Sequence, residues 1–245
     1  MNPLLLILAL AALRRSSSAA LGQIWRALPS YDRADVDQWL SEALPLVDGA
    51  RRHSAALTNA YIASAMERGP FELDVDALIG NALRNGAKSA EVYERAFVTV
   101  WTALGDEGNW EQATAQGLDR ATSAIETDVQ LSMRAAAEAI DIADPTLYGY
   151  RRVANPTACT FCREVDGAYV KGSDGFVLAL HNHCGCGIQP LKEPHSGAAK
   201  LPDGTEVRPF QTGALNENVA VQVHGELGPV LVDPTQHFTP ESALH

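Results

Sequence analysis

Cys159-Thr160-Phe161-Cys162, and eighteen residues further on His181-Asn182-His183-Cys184-Gly185-Cys186, is the stretch on which the architecture of this chain turns. All four cysteines of the 245-residue sequence fall inside it. Thiolate and imidazole are the compact, soft ligands that zinc takes, and a structural zinc ion takes four of them in a tetrahedron. A Cys-x-x-Cys pair presents two sulfurs from one tight turn, and a second cluster must return from farther along the chain to close the shell. Cys159, Cys162 and His181 with either Cys184 or Cys186 is the set that the spacing favours. His181-x-x-Cys184 repeats the spacing of the first pair, whereas Cys186 leaves the fourth place open and His183 adds a further donor. The same residues admit two blander readings, four small buried side chains or two disulfides, and four cysteines allow three pairings. A catalytic zinc fits least well, because a closed four-ligand shell has no position for a water.

Outward from the cysteines the pattern is that of strands. Tyr148-Gly149-Tyr150-Arg151-Arg152-Val153 reads as a strand entering the cluster. Asp166-Gly167 reads as a hairpin turn, Ala168-Tyr169-Val170 as the returning strand, and Phe176-Val177-Leu178 as a further one leading to His181. So small a unit has little core of its own, which is when a bound metal contributes folding energy directly. After Pro190 the chain reads as loop-rich to about Gly213. Val219 to Val223 and Val230 to Val232 then read as short strands, and a tail begins near Thr239.

Upstream of Asp144-Pro145 the period changes from two to between three and four residues, the mark of amphipathic helices. Residues 1 to about 28 read as one helix, or two broken near Ser16-Ser17-Ser18. Val36, Trp39, Leu40, Ala43 and Leu44 line one face of the next helix, and a separate one is expected from about Leu46 to the Gly69-Pro70 stop. Asp74 to Asn85 is a shorter segment. Ser89 to Leu104 carries an aromatic stripe, and Gly105 to Gly108 reads as a turn. Trp110 to Ala143 reads as one long helix with a thin seam of Leu118, Ala121, Ile125, Val129, Met133, Ala136 and Ile140, in which Gly117 is a weak or bent point. Trp39, Trp101 and Trp110 are expected in core packing. The expected class is therefore α+β: a helical region over 1–145, a β-rich zinc-type module over 146–192, and a loop-rich arm with short strands over 193–245.

A formal net charge of −11 argues against a protein whose main task is gripping nucleic-acid backbone. Four cysteines grouped in one place fit a metal site in a reducing compartment better than a secreted disulfide scaffold. Leu4 to Leu13 is an uninterrupted apolar run. It is shorter than the roughly 20 residues a bilayer span needs, and Arg14-Arg15 follow it rather than precede it, contrary to a secretory leader. A buried or partner-docking helix is the expectation, and no membrane is expected as a partner. The chain carries no internal repeat, P-loop, GxGxxG or HExxH.

Gly149-Tyr150-Arg151-Arg152-Val153, then Cys159-x-x-Cys162 and His181-x-x-Cys184-x-Cys186, resembles the Mu F-like minor head proteins of tailed bacteriophages, most of all those from phages of actinobacteria. Val223-His224-Gly225-Glu226-Leu227-Gly228-Pro229-Val230-Leu231 and His237-Phe238-Thr239 are similar to the closing stretch of that family. The likeness is weak through the helices and sharp from about residue 149 onward. It implies a virion protein of the head interior or portal region, present in the host cytoplasm during assembly. The implied partners are the portal protein, the major capsid or scaffold protein, and packaged DNA nearby. The implied metal positions are Cys159, Cys162, His181, Cys184 and Cys186, four of which would hold structural Zn2+.

Relatives of this kind are often described as capsid maturation proteases. A serine protease needs a nucleophile, a base, an orienting group and oxyanion donors. His224, Glu226 and His237, with Ser173, Ser196 and Ser242 in loops, permit a triad without any spacing that forces one. Arg151 and Arg152, with Arg163 and Lys171, flank the cysteines. They read as contacts to DNA phosphate, as in a zinc-stabilised nucleic-acid module, or to an acidic partner, or as ordinary solvated charge.

Overall fold

In the computed structural model, residues 2–84, 86–158, 160–164, 166–167, 169–170, 185–192, 199–200, 206–207, 219–221 and 230–232 are described. The chain divides into two compact units, Met1–Ala137 and Glu138–His245.

The first unit is helical: α1 (Leu4–Arg26), α2 (Asp35–Ala65), α3 (Val75–Ile79) with a 3-10 turn at Asn81–Arg84, α4 (Ser89–Glu107) and α5 (Trp110–Ala143), whose last turns belong to the second unit. Hydrogen bonds give the helix directions. Ser18 Oγ donates to Glu126 Oε1 and Trp25 Nε1 to the Thr114 carbonyl, so α1 and α5 run antiparallel. Trp39 Nε1 donates to the Tyr93 carbonyl and Arg51 Nη1 to Ser89 Oγ, so α2 and α4 do too. Tyr93 meets Asp128, and Val100 meets Gly117, which sets α4 against α5 in the same sense. The four long helices thus form an antiparallel bundle, the arrangement that buries one stripe from each.

Those stripes are the ones the spacing dictates. On α1, Leu6, Leu10, Leu13, Ser17, Leu21 and Trp25 are buried at steps of three and four. On α5 every position of the expected seam is buried except Leu118, which is half-buried. Aromatic rings fill one end of the bundle. Trp25 meets Trp39 edge-on at 5.1 Å and Phe97 at 5.1 Å, and Trp101 stands 5.9 Å from Phe97. Such contacts are worth about 0.5–1.5 kcal/mol each beyond the area they bury. Trp110, expected inside, is half-exposed and closes the end against Tyr31 at 5.8 Å.

Several boundaries differ from the expectation. α1 runs unbroken through Ser16-Ser17-Ser18: Ser16 Oγ bonds back to the Leu13 carbonyl, Ser17 is buried, and Ser18 reaches α5. It is therefore longer than its leucine run, and α1 is the one helix among the described residues long and apolar enough to cross a membrane. A third of its most apolar window is buried, and Leu4, Leu5 and Leu8 are exposed. α2 passes straight through Pro45 instead of splitting there. Pro45 and Ser41 are both exposed, so the Ser41 carbonyl that loses its helical partner is open to water. α4 continues to Glu107 and ends on Gly108, whose φ of +66° is a left-handed cap that glycine adopts without strain.

One polar group lies in the middle of this core. Asp128, 0% exposed, accepts from Arg51 Nε at 3.2 Å and Nη2 at 2.7 Å, from Arg84 Nε at 2.6 Å and from the Tyr93 hydroxyl at 2.8 Å. Arg51 also donates to the Ile79 carbonyl, and Arg84 Nη2 to that of Ala124, so the α3 segment is tied to α2 and α5. Burial, and then the Asp128 carboxylate, push the Tyr93 hydroxyl well above the ordinary tyrosine range.

The second unit holds the strands: β1 (Tyr150–Val153), a short helix α6 (Thr160–Glu164), β2 (Tyr169–Val170) and β3 (Gly187–Pro190). They form one antiparallel sheet ordered β2-β1-β3. β4 (Ala199–Lys200) pairs with β5 (Glu206–Val207), and β6 (Val219–Val221) with β7 (Val230–Val232), each antiparallel. β6 and β7 are the two C-terminal strands expected from the sequence; β3, β4 and β5 were not anticipated. The expected strand at Phe176 to Leu178 lies outside the described residues. The whole is a predominantly helical α+β protein.

Candidate metal centre

β1 is the scaffold of the cysteine region. Strand alternation puts Tyr150 and Arg152 on its buried side and Arg151 on its exposed side. Burial, then the Asp141 and Asp144 carboxylates, drive the Tyr150 hydroxyl far above its ordinary range. β1 pairs along its length with β3, Arg152 opposite Ile188 and Val153 opposite Gly187. That register leaves Cys186, one residue before Gly187, at the end of the sheet where β1 runs out.

The chain leaving β1 folds back to the same end. Asn155 organises the turn: its side-chain oxygen accepts from Thr157 N and Oγ1, and its carbonyl from Ala158 N at 2.8 Å. Ala154 N donates to Asp166 Oδ1 at 2.8 Å, and Arg163 Nε to the Ala158 carbonyl at 2.8 Å, closing the loop around α6. The expected turn at Asp166-Gly167 is present, but it returns the chain from α6 and is not the tip of a two-residue hairpin. Gly167, at φ +80°, gives its N–H to the Arg152 carbonyl at 2.9 Å.

The result brings two of the expected ligands together. Cys162 on α6 and Cys186 before β3, exposed by 1% and 2%, pack with Ala158 into one buried cluster, with Ala154 against it. Arg152, itself 2% exposed, points Nη2 at Cys162 Sγ from 3.3 Å. Cys159, His181 and Cys184 lie outside the described residues, as does His183. Among the described residues no group of three or more His, Cys, Asp or Glu is placed to hold a metal ion. Two of the five expected donors are thus described, both of them buried cysteines from separate segments of the chain.

Two sequence readings change here. Arg152 is neither solvated charge nor available to phosphate, because it is buried; Arg151 alone of the pair is exposed. Arg163 is spent in part on its own loop. The signal in the sequence that the second arginine faces inward is the alternation of Tyr150-x-Arg152. The residues considered for a protease, Ser173, Ser196, His224, Glu226, His237 and Ser242, lie outside the described residues. Comparison with known proteins finds no matching family model, no matching curated protein and no matching solved structure.

Proposed function

We propose that this chain is a minor head component of a tailed bacteriophage whose C-terminal unit is held by a structural zinc ion. The ion has no turnover role. In this reading four of Cys159, Cys162, His181, Cys184 and Cys186 bind it, and the helical unit is an assembly element that meets portal, scaffold or major capsid protein near the packaged DNA. The observation that carries the zinc reading is the meeting of Cys162 and Cys186 in one buried cluster beside a buried arginine. They are 24 positions apart in sequence (186 − 162) and come from the two separate clusters of the motif. The assembly role rests on the likeness from residue 149 onward.

Metal analysis of freshly purified, reduced protein is expected to give about one zinc per chain, as a closed four-ligand site requires. Metal-free protein would remove the zinc reading. Mass spectrometry of purified phage particles is expected to find the chain in low copy with the portal. Its absence from particles would remove the head reading. Coexpression with capsid and scaffold proteins is expected to leave their termini unchanged. Cleaved termini that become intact on serine substitution in this chain would turn the assignment to a maturation protease.

A further inference from the structure

We propose that residues 74–84, in the connection between α2 and α4, form a clasp that opens and recloses on an intact bundle, with the contact of Arg84 to Asp128 as its latch. The inference is independent of the metal and head readings, since every residue in it belongs to the helical unit. The two carboxylate oxygens of Asp128 have different partners. Oδ2 takes Arg51 Nε at 3.2 Å, Arg51 Nη2 at 2.7 Å and the Tyr93 hydroxyl at 2.8 Å, all from α2 and α4. Oδ1 takes Arg84 Nε at 2.6 Å, from the connection. One oxygen therefore joins helices to one another, and the other joins the clasp to them. When Arg84 leaves, Asp128 still faces Arg51, so the uncompensated charge that makes a broken buried pair so unfavourable does not arise. Arg84 is also the accessible member: its side chain is 21% exposed, against 2% for Arg51 and 0% for Asp128.

The other attachments are light. Among the described side chains of residues 74–84, Ile79 alone is buried, while Val75, Leu78 and Leu83 are half-buried. The Ile79 carbonyl lies 3.5 Å from Arg51 Nη1, at the limit of a hydrogen bond, and that nitrogen also has Ser89 Oγ at 2.8 Å and Asp48 Oδ1 at 3.2 Å. Arg52 pairs with Asp76 where both are exposed, which contributes little. Arg84 adds a second tie through Nη2 to the Ala124 carbonyl at 2.9 Å, so one side chain makes both contacts to α5. The clasp meanwhile keeps its own shape. Asp74 caps α3 by accepting from Ala77 N at 3.1 Å, and Leu83 N donates to the Gly80 carbonyl at 3.0 Å. Asn59 anchors the chain before it, exchanging two bonds with the Phe71 backbone at 2.8 and 2.9 Å. A piece with local bonds of its own, little apolar burial and one charged latch is the kind of unit that opens below the free energy of global unfolding.

The test is native-state hydrogen exchange at a series of low urea concentrations, on the full-length protein and three variants. In the parent, the bonded amides of Leu78 and Leu83 are expected to exchange by a route nearly insensitive to urea, because opening the clasp exposes little surface, while buried turns of α2, α4 and α5 show the steep dependence of global unfolding. Arg84→Gln is expected to speed exchange at residues 74–84 roughly tenfold to a hundredfold with that shallow slope retained. Arg84→Lys, which keeps the charge but cannot reach Asp128 and Ala124 together, is expected to fall between, and it decides if Arg84→Gln does not fold. Asp76→Asn is expected to change the rate a few-fold at most. A slope at Leu78 and Leu83 as steep as that of the helices would overturn the clasp, since the segment would then open only with the whole bundle. Rates within about twofold of the parent in the Arg84 variants would overturn the latch. Acceleration by Asp76→Asn equal to that of Arg84→Gln would overturn it in favour of the exposed Arg52 pair.

Discussion

Gly117 illustrates how one residue's role is set by other helices. A Cβ there would stand 2.5 Å from Val100 Cγ2, 2.7 Å from Trp25 Cζ2 and 2.9 Å from the Ala96 carbonyl oxygen. The last is backbone and cannot step aside. Gly117→Ala gains about 1 kcal/mol of helix propensity but overpacks a crossing, which typically costs about 1–3 kcal/mol. A net destabilisation of up to about 2 kcal/mol is expected, read as a lower urea midpoint at unchanged slope; a raised midpoint would show that the crossing can open. Read along α5 alone, Gly117 is a weak point in a helix. Only the arrival of α4 and of Trp25 reveals a contact point. Asp128 was passed over for a related reason. It lies next to Val129 in the apolar seam, where a lone carboxylate looks like a gap. Its partners Arg51, Arg84 and Tyr93 come from three distant places in the chain.

Among the elements, α2 departs most from its sequence reading. Proline inside a helix removes one hydrogen bond and crowds the preceding turn, at about 3 kcal/mol in an exposed helix interior. Local rules therefore end the helix at Leu44. The buried face, however, keeps its period across the proline: Trp39 and Ala43 before it, Val47 and Ala50 after it, all in the bundle core. Tertiary burial of a continuous stripe outweighs the local penalty. Pro45→Ala is expected to raise stability by about 1–3 kcal/mol, with the helical signal unchanged. A loss of stability in equilibrium unfolding would mean that the proline has a packing role of its own. α5, by contrast, was legible to the residue, because its seam is long and Asp144-Pro145 ends it in every reading. β3 was not legible: Gly187-Ile188-Gln189-Pro190 contains both a glycine and a proline, and only its pairing with β1 makes it a strand.

At the scale of the whole molecule, the two units depend on different physics. The bundle carries a large apolar core and an internal ion cluster, whereas the described part of the second unit has short strands around two buried cysteines. If the proposed zinc ion holds the second unit, a strong chelator is expected to make the region after residue 138 sensitive to limited proteolysis while the far-ultraviolet helical signal stays nearly constant. Simultaneous loss of both would show that the units fold as one. The class and the existence of the helices were readable because apolar period alone specifies them. The meeting of Cys162 with Cys186 was not, because it depends on where β3 returns. One further consequence concerns how this protein can be watched. Its four indole rings, Trp25, Trp39, Trp101 and Trp110, all belong to the first unit. Tryptophan fluorescence is thus a reporter for the bundle and blind to the cysteine-bearing half. A melt that looks single and complete by that probe can leave the fate of the other half wholly unrecorded, and a tyrosine or engineered label after residue 138 is needed to see it.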